Sequence, residues 1–299
     1  LIGAGHQTAV LRSAAYGSPM AEYQDEMAGV GYYKFIEDLE KNFQEKKDEI
    51  VAGLQNAMAE IIRKDSFMVS YTGERESVEQ VKALSGALKK SLPESTWEVP
   101  ETAITCRKKN EGFKTSGQVQ YVARTGNFVK KGFTYTGALE ILKVALSYDY
   151  LWQNVRVKGG AYGCMSNFNR IGEGYLISYR DPNLEKTMEI YEGVVDYLEN
   201  FNVDDRDMNK FIIGTISNID RPMNPAAKGS RSMNLYMSRV TEGMIRRERE
   251  QILSADQKDI RALAKILKAV LDADQICVIG SEEKIEEQKE MFMEIRTLS

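Results

Sequence analysis

Tyr148-Asp149-Tyr150-Leu151-Trp152-Gln153-Asn154-Val155-Arg156-Val157-Lys158-Gly159-Gly160-Ala161-Tyr162-Gly163 reads as a helix end, a glycine pair and the start of a strand. Upstream, Thr136 is placed to cap a helix whose apolar positions are Leu139, Leu142, Leu146 and Leu151. Glycine tolerates the left-handed conformation, so Gly159 and Gly160 stop that helix. Arg156 and Lys158 fall where cations favour the negative helix end. Tyr162 opens a strand-like run to Asn169, and the turn Arg170-Ile171-Gly172-Glu173 leads into a second, Gly174–Tyr179. This helix-end reading accounts for the segment without any chemistry. A phosphate cradle is rejected, because the glycines follow a helix and precede a strand, the reverse of P-loop and Rossmann order.

Outward from this segment the chain alternates helix and strand signals. Residues 7–17 and 20–40 read as helix, and Glu45–Arg63 as a clearer one, with Ile50, Leu54, Ala57, Met58 and Ile61 at helical spacing. Phe67–Tyr71 reads as a strand, Thr72-Gly73 as a turn and Ser77–Leu92 as a helix. A stretch with Pro93, Pro100 and no period follows, predicting a linker over 96–113. Val119, Tyr121 and Ala123 then alternate with polar residues as in a half-buried strand. Further helices follow, with Leu184, Met188, Tyr191, Val195 and Leu198 on one face, then Asp204–Ile219, and later Ile260, Leu263, Leu267 and Val270. Gln275–Ile279 reads as a strand, Gly280 as a turn and Glu282–Phe292 as a last helix.

That ending repeats an earlier pattern. Lys47-Asp48 leads through a helix to Phe67–Tyr71, Gly73 and an acidic helix start, and Lys258-Asp259 leads in the same order to Ile276–Ile279 and Gly280. Helix–strand–helix is a common order, so chance is the alternative to duplication. The expected fold is α+β: two homologous α/β units, each a mainly antiparallel sheet with helices on one face, the first truncated. The expected domains are 1–95 and 114–299.

Composition narrows the function. The formal net charge is −4 with no basic stripe, which argues against a dedicated nucleic-acid binder. No run of 18 apolar residues suggests a membrane span. The start, Leu1–His6, has no initiator Met and no signal-peptide pattern, so the chain reads as a piece of something longer. Cys106, Cys164 and Cys277 are widely spaced, as reduced thiols in a cytoplasmic setting would be. An organelle stays open, since a targeting segment would lie upstream. The single histidine, His6, cannot supply a catalytic zinc site, and no G-x-S-x-G elbow is present.

The Arg156-x5-Tyr162 segment with its Gly159-Gly160-Ala161-Tyr162-Gly163 turn resembles the C-terminal signature of the insulinase-type (pitrilysin superfamily) metallopeptidases, closest to their presequence-protease branch. Tyr32–Phe43, Ser70–Gly73 and Asp181-Pro182-Asn183-Leu184 also resemble family stretches, so the resemblance covers nearly the whole chain. It implies four homologous domains in two halves closing like a clamshell over a peptide. The inverted His-x-x-Glu-His zinc motif lies in the N-terminal half, so no cofactor is expected here and zinc is expected in a missing N-terminal catalytic half. This chain would be the end of the third domain and all of the fourth. By the same resemblance, Tyr162 would donate a hydrogen bond to the developing oxyanion, Arg156 would hold substrate carbonyl or carboxylate oxygens, and Gly159 and Gly160 would let the turn approach an extended peptide. Lys158 has no assigned role. A catalytically inactive scaffold or partner subunit of the same fold is the rival reading. The expected partners are a peptide substrate and the catalytic half, with self-association of the truncated piece through its uncovered strand.

Overall fold

The computed structural model describes residues 2–94 and 103–298. Two compact units emerge: Leu1–Phe35 with Ile104–Asp220 and Arg246–Ser299, and Ile36–Ala103 with Arg221–Ile245.

The first unit is built on six strands, β1 (Glu111–Thr115), β2 (Tyr121–Asn127), β3 (Gly163–Phe168), β4 (Glu173–Tyr179), β5 (Gln275–Ser281) and β6 (Glu294–Thr297), in the order β3-β4-β2-β5-β1-β6. The β3–β4, β4–β2 and β2–β5 pairs are antiparallel, and β1 runs parallel to both β5 and β6. The fold is thus α+β with a mostly antiparallel sheet, as expected.

Fourteen α-helices are described: α1 (Gly5–Ala15), α2 (Pro19–Ala28), α3 (Val30–Lys41), α4 (Phe43–Ile61), α5 (Val78–Ser91), α6 (Ala138–Tyr148), α7 (Glu185–Glu192), α8 (Val194–Glu199), α9 (Asp205–Ile219), α10 (Pro225–Met237), α11 (Glu242–Leu253), α12 (Gln257–Ala262), α13 (Ala264–Leu271) and α14 (Glu282–Glu287). Side chains alternate across a strand, so each face gathers its own core. Val122, Leu176, Ile276 and Val278 point to one face, where they meet the apolar stripes of α6 (Leu139, Leu142, Leu146), α8 (Leu198) and α13 (Leu267, Val270). Burying each such side chain contributes roughly 1.5–3 kcal/mol.

The opposite face overturns the expectation of helices on one side only. Tyr121, Ala123, Ile177, Cys277 and Ile279 point there, and Ala9 of α1 packs against them. β5 is buried from Ile276 to Ser281. A near-continuous apolar run is what a doubly covered strand requires, and Ile276-Cys277-Val278-Ile279 carried that signal. Charge fastens α1 to the sheet as well. Arg12 Nε lies 2.5 Å from Glu111 Oε2 and its NH1 2.7 Å from Asp25 Oδ2, all three side chains buried. Tyr16 donates its hydroxyl to the same Glu111 at 3.0 Å. The stretch before Phe35 therefore packs with the sheet. Strand β1 also begins at Glu111, inside the stretch read as linker; the part of that linker before Ala103 lies outside the described residues.

The second unit is helical. Residues 67–71, read as a strand, form none among the described residues, and Met68, Val69 and Tyr71 are exposed. A strand is defined by its hydrogen-bonded partner, and none is present here for this extended segment. Its expected equivalence with 275–279 therefore has a strand only at the second place. α4 buries none of its residues, so the helical spacing of Leu54, Met58 and Ile61 forms an exposed apolar stripe. No helix among the described residues is long and apolar enough to cross a membrane.

Candidate functional site

The segment from Leu151 to Gly163 links the α6 layer to the edge strand β3. After α6 the chain widens into a π-helical turn, Trp152–Val157, with Lys158 N–H donating to the Gln153 carbonyl at 3.0 Å. Ala161 N–H then reaches back to the Val155 carbonyl at 3.1 Å and Gly160 N–H to the Arg156 carbonyl at 2.8 Å. This is a glycine-terminated helix end widened by one residue. Gly160 holds φ at +83°, and a Cβ on Gly159 would lie 2.4 Å from the Val155 carbonyl oxygen. Both glycines are thus required by the chain's own path, as the helix-end reading holds.

The widened turn sets Trp152 and Arg156 on one face, one above the other at i, i+4. The Arg156 guanidinium carbon lies 4.1 Å from the Trp152 ring centroid and 5.8 Å from that of Tyr162. Tyr162 is 66% exposed. Its ring meets Tyr179 edge-on at 5.7 Å, and Tyr179 in turn receives the His6 ring at 4.9 Å. Arg156 and Tyr162 therefore stand together at the surface, the guanidinium fixed by stacking while its planar edge carries the donors. Burial lowers the pKa of His6 from its ordinary value.

A second loop supports the glycine turn. Asn183 Nδ2 donates to the Gly159 carbonyl at 2.6 Å. Asp181 accepts from the Asn183 N–H at 2.9 Å and from the Thr187 hydroxyl at 2.7 Å, and its backbone pairs with Gln120 in both directions. Burial raises the Asp181 carboxyl above its ordinary range, against the pull of these bonds. Pro182 lies beneath Gly160, 3.5 Å from where a Cβ would stand. Asp181-Pro182-Asn183 was legible as a family stretch but carried no role from sequence; tertiary packing places it under the turn. Trp152 and Tyr179 were likewise not predicted as site residues. The i, i+4 spacing of Trp152 and Arg156 was a signal for the first, and nothing in the sequence pointed to the second.

Neighbouring thiols offer no nucleophile. Burial pushes Cys164 up to about 11, with the Arg156 charge opposing it, so it is a thiol at neutral pH. Among the described residues no three His, Cys, Asp or Glu side chains converge to hold a metal. The residues gathered at the turn do not fit a zinc site.

The family model of the PreP C-terminal domain matches residues 110–282, and the chain belongs to that family. It is 39% identical over 298 residues to Protein HypA of Clostridium perfringens, covering 100% of this chain and 30% of that protein. It is 31% identical over 306 residues to Presequence protease 1, chloroplastic/mitochondrial, of Arabidopsis thaliana, covering 99% of this chain and 28% of that protein. The chain thus spans less than a third of these relatives. The crystal structure of pitrilysin resembles it with a TM-score of 0.49 at 11% identity, over 68% of this chain and 23% of that one.

Proposed function

We propose that this chain belongs to the non-catalytic, substrate-holding half of a zinc-dependent endopeptidase that encloses and degrades unfolded peptides. The observation that carries the reading is the pairing of Arg156 and Tyr162 at one buttressed surface turn, in a chain of the presequence-protease family. Arg156 offers a planar set of donors for peptide carbonyl or carboxylate oxygens. Tyr162 offers a phenol donor. Against a peptide held by the catalytic half it would stabilise negative charge developing on the scissile carbonyl oxygen. Gly159 and Gly160 add close backbone approach. The zinc and its ligands belong to the N-terminal half of the same polypeptide, which is the principal partner. In this reading the end of a third family domain falls within residues 1–95 and the fourth is 114–299, with the residues up to Phe35 packed against the fourth domain's sheet. The three free thiols support a reducing compartment.

Tyr162→Phe in the polypeptide that includes the catalytic half tests this. A donor acting mainly in the transition state lowers kcat more than it raises KM, by roughly 10²- to 10³-fold where it acts alone. Arg156→Ala raises KM, because it grips the ground state too. An unaltered single-turnover rate with a depressed thermal midpoint for Tyr162→Phe would retire the catalytic role and favour the inactive-scaffold reading.

A further inference from the structure

The α1–α2 elbow leaves a cavity of about 310 Å³ against the sheet face, at the end of β3 and β4 away from Tyr162. That volume is at the lower end for ligand pockets, roughly 300–1,000 Å³. The elbow presents small residues to it, Ala14, Gly17 and Ala21. Val10 and Leu11 of α1 and Ile177 of β4 give it apolar surface, beside His6 and Gln7 of α1. Its polar lining carries a single charge. Asn167, Asn169 and Gln275 are among its amides, and Glu173 supplies the one carboxylate in the lining. No Lys or Arg lines it, and the Lys130 ammonium nearby is bonded to the Gly17 carbonyl. Glu173 accepts from Ser18 Oγ at 2.5 Å and Asn169 Nδ2 at 2.9 Å, which fixes the carboxylate and leaves acceptor capacity on it. Apolar surface beside a fixed negative charge and amide oxygens suits a side chain with an aliphatic stem and a cationic head.

The cavity shares its sheet face with the Arg156–Tyr162 turn. Glu173, Tyr175, Ile177 and Tyr179 alternate onto that face of β4, and Tyr179 touches Tyr162. Six residues of strand separate Glu173 from Tyr179, roughly 20 Å at ~3.4 Å per residue. We infer that the α1–α2 elbow is a distal subsite that takes a lysine or arginine side chain of an extended peptide, about six residues from the stretch held at Arg156 and Tyr162. This rests on the reading of that turn as a peptide contact.

Fluorescence anisotropy on the whole chain tests it, with labelled peptides of roughly a dozen Ala and Ser residues, long enough to span both places at ~3.4 Å per residue. One carries a central Arg, one a central Glu. The Arg peptide should bind about tenfold tighter, and Glu173→Gln should erase that difference. Ala14→Leu, which fills the elbow from a half-buried helix position, should erase it too while leaving the thermal midpoint near that of the wild type. Equal binding of the two peptides, or a preference that survives both substitutions, overturns the subsite. Arg156→Ala separates the two readings by weakening both peptides alike. If it does so while Glu173→Gln changes nothing, the subsite alone fails; if no peptide binds and Arg156→Ala has no effect, the peptide-contact reading fails with it.

Discussion

Arg12→Met is the most informative perturbation of the fold, because it asks whether α1 belongs to the sheet. Arg12 is buried between two carboxylates with no exposure of their own, reaching Glu111 through Nε at 2.5 Å and NH2 at 3.1 Å and Asp25 through NH1 at 2.7 Å. Methionine keeps most of the stem volume and removes only the charge and its donors. Removing one partner of a buried ion pair costs about 3–5 kcal/mol, mainly for the charge left behind. Asp25 would retain the N–H groups of Val30 and Gly31, both at 3.0 Å. Glu111 would retain the Tyr16 hydroxyl at 3.0 Å and Arg296 at 3.4 Å. That residual solvation places the loss near ~3 kcal/mol. For a domain of 150–250 residues this lowers Tm by roughly 6–12 °C. Adding Glu111→Gln removes the stranded charge, so the double variant should be more stable than additivity predicts. Acid sensitivity gives an independent reading. Burial pushes the Glu111 carboxyl up, but the Arg12 hydrogen bond and charge and the Tyr16 hydroxyl outweigh it, so the folded value lies below the ordinary 4.5. A depressed carboxylate stabilises the fold above 4.5, and that contribution disappears as pH falls through its folded value. Arg12→Met should therefore lose less midpoint than wild type on acidification below pH 4.5. Thermal melts monitored by circular dichroism measure all of this. A loss under ~1 kcal/mol, typical of an exposed pair, or strict additivity with Glu111→Gln, would refute the account.

The turn itself yields further expectations. Gly159→Ala should destabilise by about 1–3 kcal/mol, since its Cβ meets backbone oxygen at 2.4 Å. Gly160→Ala should cost only the left-handed strain, about 1–2 kcal/mol, and parallel melts would show whether that order is reversed. Asn183→Ala removes the 2.6 Å bond to the Gly159 carbonyl and should cost about 1 kcal/mol, with faster amide exchange at Gly160 and Ala161; unchanged exchange there would show that Asn183 does not hold the turn. Trp152→Leu should leave the fold in place but weaken peptide binding as Arg156→Ala does, because the guanidinium loses its stacking face; full-strength binding would show that Arg156 needs no such support.

The helix stripes of α6 and α13, the glycine stop and the β3–β4 hairpin were legible in the sequence because each rests on local periodicity or backbone chemistry. The Arg156–Tyr162 pair was legible as a motif, and the single histidine argued against a catalytic zinc site within this chain. Three things were not readable in that way. Residues 67–71 have strand-like composition, yet without a hydrogen-bonded neighbour among the described residues they form no strand there. Arg12, Asp25 and Glu111 look like ordinary surface charges in sequence, and only the packing of α1 and α2 on the sheet's second face buries them together. The turn's support by Asp181-Pro182-Asn183, and the pocket at the α1–α2 elbow, join residues far apart in the chain. Local propensity is set by neighbours three or four places away, whereas a buried ion pair, a second sheet face and a cavity are set by which surfaces meet, and tertiary structure alone decides that.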